Sequence, residues 1–349
     1  MEQKFQSFLE PINCFSLNNK IESILVIGNP DPSPCMVTIA IPTFNRPETF
    51  KYALESAINQ TSFDDYEILI VDNNPNFDLS DETEKIIRSF NSKRIRYYRN
   101  RENIGLFGNW NRCFELAKGK WVSLLHDDDL YFPNFISVMM AIVEKKQNIN
   151  FLSSRLIVWK EDKKVAINSF AKSVKIPKLN KSVQRYSLLD FYFANRISAC
   201  GSLILREKVI MLGGFNPDFY PTSDYVFNVR FSNSFNVYLY NGFLGIYRVG
   251  LNESLKPEVQ VGYIVNDYYL RCKIGELINL PNKLNTSIQK KLALKRVKYL
   301  EDSNQKYFNT RFSSIFSPSS NKIISISSFA VIKLYTMLNH IKNINISLL

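Results

Sequence analysis

Three consecutive carboxylates, Asp127, Asp128 and Asp129, follow the apolar run "WVSLL" and His126. Two like charges about 5 Å apart in an effective dielectric near 20 repel by roughly 3 kcal/mol. No Lys or Arg stands within six residues to relieve them. Capping the helix that begins near "PNFISVMM" would justify one aspartate, since an acid at a helix N-terminus gains only about 0.3–1 kcal/mol. A divalent cation turns the repulsion into coordination. Mg²⁺ typically takes one or two carboxylates and leaves its other positions to water and substrate phosphates. The cluster therefore predicts a metal–diphosphate site. With only two histidines, His126 and His340, a zinc centre is not expected, and His126 reads equally as an ordinary strand residue. Neither a G-x-x-x-x-G-K-[ST] loop nor a G-x-G-x-x-G turn occurs, which argues against ATPase, kinase and dinucleotide chemistry.

The elements that would position these acids alternate regularly. "MVTIAIP", "YEILIVD", "RIRYYRN" and "WVSLLHD" read as strands. The helices between and after them are "RPETFKYALESAINQ", "SDETEKIIRSF", "LFGNWNRCFELAKG" and "PNFISVMMAIVEKK". Such alternation calls for an α/β fold, a mostly parallel sheet with helices on both faces. Ligands of such sheets bind beyond the carboxyl ends of the strands, and two of these strands finish on acids, Asp72 and Asp127, which should share one rim. Further on, "INFLSSRLIVW" and "SACGSLILRE" read as strands. "GGFNPDFYPTSDYVFNVRF" reads as a turn-rich loop entering a helix near Ser223, and "NVYLYNGFLGIYR" as a hairpin or paired strands. The segments beyond Pro257 read as helices, "FAVIKLYTMLNHI" among them.

The 349 residues suit one large domain with an appendage. Three parts are expected: an N-terminal extension and Pro-rich linker (1–35), a catalytic domain (36–255) and a basic helical region (256–349). Five widely spaced cysteines with no C-x-x-C pair suggest neither disulfides nor zinc, and fit a reducing cytoplasm. The N-terminus lacks the basic and apolar regions of a secretion signal. No apolar stretch is long enough to span a membrane. Of the formal charge of +12, the part from Pro281 to Leu349 holds eleven Lys and Arg against Glu301 and Asp302, 11 − 2 = +9. A basic face of this kind fits anionic lipid or acidic partners, or is simply solvated. Nucleic acid is not expected, because no binding motif accompanies the charge.

Taken together, "IAIPTFNRPETFKYALESAINQT", "YEILIVDN", "NRENIGLFGNWNRCFELAKGKWVSLLHDDD" and "GGFNPDFYPTSDYVF" resemble the family-2 glycosyltransferases of GT-A fold, over about Met36 to Arg248. The resemblance implies that Pro42, Thr43, Asn45 and Arg46 line a nucleotide pocket. It implies that Asp72 accepts hydrogen bonds from the base, uracil by preference, although Asp72 alone reads as a turn residue. Asn103, Gly105 and Asn109 would shape the donor pocket. Asp128 would be the ligand of a divalent cation, Mg²⁺ or Mn²⁺, with Asp129 beside it in the metal site and Asp127 facing ribose or sugar. Asp224 maps to the general base of inverting members, where a first-turn acid is the plain alternative. Arg248 would reach the diphosphate. The chain departs from the family pattern at His126, Ser223 and Gly250, where relatives carry an acid, an acid and a histidine.

What the resemblance implies is a metal-assisted, inverting single displacement from a nucleotide-sugar, UDP-linked by preference. The acceptor would be a saccharide, a lipid-linked one included, in the synthesis of surface polysaccharide or lipopolysaccharide. The basic C-terminal region would then rest on an anionic membrane at its cytoplasmic side. A nucleotidyltransferase, and a non-catalytic carbohydrate-binding relative, are the rival readings. The first would carry a Gly-rich loop where this chain has "PTFNRPET", and the second would lack the acids that are present.

Overall fold

The computed structural model describes residues 2–77, 81–160, 181–250, 253–302, 328 and 330–335. Its organising element is Cys35–Thr43 (β2), whose last seven residues are all buried. Tyr66–Asp72 (β3), buried throughout, and Gly119–Leu124 (β5) flank β2 in parallel. Ile95–Asn100 (β4) runs parallel to β3 on its far side. The chain therefore steps outward from β2 to β4 and then returns to the other side of β2. That reversal opens a crevice at the carboxyl ends of β2 and β5, where open α/β sheets take their ligands.

Around this parallel centre the sheet is mixed. Ser23–Ile27 (β1) closes the β4 edge in antiparallel register. On the other side come Ser202–Leu205 (β9), Phe151–Lys160 (β7) and Val237–Val249 (β10), with Leu130–Tyr131 (β6) and Val183–Arg185 (β8) against β10. Only β7 and β10 pair in parallel in that half.

Strand side chains alternate between faces. Ile39, Ile41, Ile68 and Ile70 point to one core with Phe50 and Leu54 of helix Pro47–Ile58 (α1) and Met139 of helix Phe135–Lys145 (α4). Ala40, Leu69 and Val71 face the other core, which holds Phe114 of helix Gly105–Leu116 (α3) and Phe227 and Phe231 of helix Ser223–Ser234. Pro47 opens α1 at a position where a missing N–H costs nothing, and Phe50, Ala53, Leu54 and Ala57 form its buried stripe. Helix Glu82–Phe90 (α2) is capped by Asp81, which accepts from Thr83 N and Glu84 N, and ends on left-handed Asn91. Two shorter helices follow, Leu188–Phe193 (α5) and Arg206–Leu212 (α6), and Ser223–Ser234 is then α7. Pro257–Leu277 (α8) and Asn282–Asp302 (α9) pack together, with Leu270, Ile274 and Ile288 entering the second core. No helix among the described residues is long and apolar enough to cross a membrane.

Two expectations change. Val237–Val249 is one continuous strand, because the register with β7 shifts between Leu239 and Phe243 and again before Gly245, so the Asn241-Gly242 pair forms an irregularity in place of a hairpin turn. Residues 1–35 also supply β1 and bury Phe5, Phe8 and Phe15 in the main core, with the Phe5 ring 5.2 Å from that of Phe219. Of the segment "FAVIKLYTMLNHI", positions 330–335 are helical, and the rest lies outside the described residues.

Candidate active site

The crevice at the strand ends opens into a cleft of about 580 Å³. In its wall Thr43, the last residue of β2, stands opposite Asp72 in register and donates its hydroxyl to Asp127 Oδ2 at 2.9 Å. Arg46, at the α1 N-cap, reaches over the acids with Nη1 3.0 Å from Asp128 Oδ2 and 3.4 Å from Asp127 Oδ1. One guanidinium does not neutralise the cluster. Burial, and then the neighbouring Asp128, push Asp127 up to about 6, and burial followed by Asp129 raises Asp128. Two hard carboxylates in a cleft wall, each destabilised as an anion, form a donor set that suits Mg²⁺ or Mn²⁺.

Asp129 is placed differently. It is fully buried and outside the cleft wall; its Oδ1 accepts the Arg248 backbone N–H at 2.9 Å, and its Oδ2 lies 3.3 Å from His126 Nδ1. The imidazole stacks on Trp110 with ring centroids 5.1 Å apart, and His126 lines the cleft. Burial pulls its pKa down, but the contact with Asp129 and the charges of all three aspartates leave it raised overall. Cys200 joins His126 and Asp129 within 4.8 Å. Burial, and then the Asp129 charge, hold that thiol well above its usual range, so Cys200 remains a thiol behind the acids.

Beside the acids, asparagine amides shape the wall. Asn73 donates to Asn103 Oδ1 at 2.6 Å and accepts from Asn100 and from the Ile104 N–H, both at 3.0 Å. Asn109 accepts from Asn100 and donates to the Val71 carbonyl. Gly105 begins α3 with φ +75°, a left-handed conformation that glycine adopts without strain, and its N–H donates to Asn103. The N-terminus of α3 is thereby turned toward the cleft.

Asp224 also lines the cleft, in the first turn of α7. Burial is the main cause that pushes its carboxyl up to about 6; the Tyr225 N–H opposes the shift and Asp267 adds to it. Tyr220, Tyr247 of β10 and Tyr263 of α8 surround it in the cleft wall. The helical C-terminal region therefore builds part of the site.

Of the residues singled out from the sequence, Pro42, Thr43, Arg46, Asn103, Gly105, Asn109, Asp127, Asp128 and Asp224 come together in the wall. Four do not line it. Asn45 sits exposed at φ 53° in the turn after β2. Asp72 is buried, with Oδ2 2.9 Å from the Tyr97 hydroxyl and 3.6 Å from Arg99, and Oδ1 taken by the Asn74 N–H. Arg248 contributes its backbone N–H to Asp129, and its guanidinium lies 5.4 Å over the Trp159 ring. Asp129 is the fourth. Sequence reasoning missed Asn73, Asn100, Trp110 and the three tyrosines. Asn73 stands in the "DNNPN" turn after β3, and Asn100, Trp110 and Tyr220 stand inside segments that carried the resemblance, so their local signals were present.

Comparison with known proteins finds similar sequences and similar folds. The model described as Glycosyl transferase family 2 matches residues 38–206. An uncharacterized glycosyltransferase of Methanocaldococcus jannaschii is 23% identical over 240 residues, which are 68% of this chain and 78% of that protein. The Escherichia coli UDP-Glc:alpha-D-GlcNAc-diphosphoundecaprenol beta-1,3-glucosyltransferase WfgD is 27% identical over 117 residues, 34% of this chain and 44% of the relative. Among solved structures, S. aureus TarS 1–349 in complex with UDP-GlcNAc superposes with a TM-score of 0.54 at 13% identity, covering 84% of this chain and 79% of that one. The sheet order and the family match over residues 38–206 together support a family-2 glycosyltransferase with the GT-A fold.

Proposed function

We propose that this chain transfers a sugar from a UDP-sugar to a hydroxyl of a saccharide acceptor, with inversion at the anomeric carbon. The observation that carries the reading is that Asp127, Asp128, Arg46 and Asp224 all line a single cleft. The UDP assignment draws on the relatives, since TarS was solved with UDP-GlcNAc and WfgD is named for UDP-Glc.

Asp127 and Asp128 would hold a divalent cation, which when bound supplies Lewis-acid stabilisation of the departing diphosphate. Arg46 keeps the two acids in place and presents its remaining N–H groups to the same anion. Thr43 fixes the Asp127 rotamer. Asp129 positions His126 and the start of β6 from behind. Asp224 takes the proton of the acceptor hydroxyl as that oxygen attacks, and a carboxylate pushed up to about 6 is ionised at neutral pH yet basic enough to accept it. Charge would develop on an oxocarbenium-like sugar in the cleft whose wall includes Tyr220, Tyr247 and Tyr263. Work at the cytoplasmic side of a membrane, with the Lys-rich α9 against anionic lipid, fits the charge distribution.

A panel of nucleotide-sugars assayed for nucleoside diphosphate release, with and without Mg²⁺ or Mn²⁺, tests the assignment. A UDP-sugar should turn over only with the cation. Metal-independent turnover, or full activity in Asp128→Asn, would overturn it.

A further inference from the structure

Behind the cleft lies a second cavity of about 320 Å³, and Ser198 and Tyr247 belong to the walls of both. Its charged lining is of one sign, Arg155 and Arg196, and no carboxylate lines it. Arg206 and the buried Arg230 are held by backbone carbonyls, while Arg96, Arg99, Arg112 and Arg271 are each buried or largely so and each pairs with a carboxylate. Arg155, half-buried on β7, is instead held by a neutral partner: Nε and Nη2 donate to Asn241 Oδ1 at 3.1 and 2.8 Å. Asn241 is itself fixed on β10, its amide donating to Ser182 Oγ at 2.7 Å and its backbone N–H to the Ser182 carbonyl. The fork is thus oriented without its charge being met.

Arg196 leaves α5 on the opposite wall with an exposed side chain. Burial, and then the Arg196 charge, lower the Arg155 pKa, so the two cations repel across the cavity. Two arginines held together without an acid present the donor geometry that phosphate oxygens match, and an anion between them would remove the repulsion. Ser154 and Ser198 add hydroxyls to the wall, and Leu156, Phe243 and the exposed Val158 make its apolar part.

We propose that this cavity is a subsite for a phosphate group carried by the acceptor, held between Arg155 and Arg196 while the acceptor sugar passes the Ser198–Tyr247 wall to Asp224. The inference rests on the glycosyltransferase reading of the main cleft and gives its acceptor a chemical class, a phosphorylated saccharide. The phosphate could belong to a lipid diphosphate carrier, its chain on the Val158 side, or to a soluble sugar phosphate.

Calorimetric titration of the full chain in EDTA, with geranyl diphosphate and with glucose 1-phosphate as probes, tests it. Wild-type protein should bind at least one, and Arg155→Gln and Arg196→Gln should each weaken that binding at least tenfold. Arg196→Glu, at an exposed side chain, should abolish it and keeps the test valid if Arg155→Gln does not fold. Preference for geranyl diphosphate assigns a lipid carrier, and preference for glucose 1-phosphate a soluble acceptor. The proposal is overturned if wild-type protein binds neither probe, or if Arg196→Glu binds as wild type does. Because binding is read without donor, nucleotide-sugar turnover by the same wild-type preparation separately tests the reading of the main cleft.

Discussion

Replacing Asp224 with Asn removes the acceptor-side base and leaves the side-chain volume nearly unchanged. With its carboxyl pushed up to about 6, the residue is about 90% ionised at pH 7 and about 10% at pH 5, so a step that needs the carboxylate slows roughly tenfold over that interval. Asp127, also near 6, would add its own acidic limb. A saturating cation removes that limb, because a bound positive charge lowers the pKa of the carboxylate it touches. Diphosphate release measured from pH 5 to 8 at saturating Mn²⁺ should therefore show a single limb near pH 6 in the wild type. Asp224→Asn should lower kcat by about 10² to 10⁴, flatten the limb and leave the donor KM within about threefold, since Asp127, Asp128 and Arg46 are the residues proposed to hold the donor's diphosphate. A variant that keeps wild-type kcat, or that keeps the limb near pH 6, would refute the assignment of Asp224.

The raised acids also predict how stability depends on pH. With Asp72, Asp127 and Asp224 near 6 when folded against an ordinary 3.8, the metal-free folded state binds more protons between those values, so its stability should rise as pH falls from 7 to 5. Thermal melts should show this, and Mn²⁺ at pH 7 should raise Tm in the wild type but not in Asp128→Asn. Arg99 is fully buried between Asp81 at 3.0 Å and Asp72 at 3.6 Å; Arg99→Gln strands both acids and should cost about 3–5 kcal/mol in urea unfolding. Cosedimentation with anionic liposomes should occur at low salt and vanish at high salt, with Lys290, Lys291, Lys295 and Lys298 of α9 changed to Gln weakening it; indifference to the liposomes would sink the membrane assignment.

The parallel centre was legible because each of its elements announces itself within a few residues. β-branched runs end on punctuating Asn, Asp and Pro, and α1 shows its stripe at Phe50, Ala53, Leu54 and Ala57. The acid cluster was legible because charge repulsion is a local quantity. What failed were features set by distant partners. Asn241-Gly242 carries a strong hairpin signal, but Asn241 is claimed by Ser182 and Arg155, and β7 holds both sides of the dipeptide in one strand. The three neighbouring aspartates differ for the same reason. Asp129 turns inward to a backbone N–H that lies 119 residues away in sequence, while Asp128 meets Arg46 in the cleft. β1 was missed because a half-buried edge strand shows no alternation; its burial is intermediate at all five positions.

Strand β10 gives the molecule a single mechanical reference. Within thirteen residues it orients Arg155 through Asn241, supplies Tyr247 to both cavities and anchors Asp129 through the Arg248 N–H. Inserting one residue between Asn241 and Tyr247 would turn the following side chains to the opposite face, uncoupling the acids from both pockets at once.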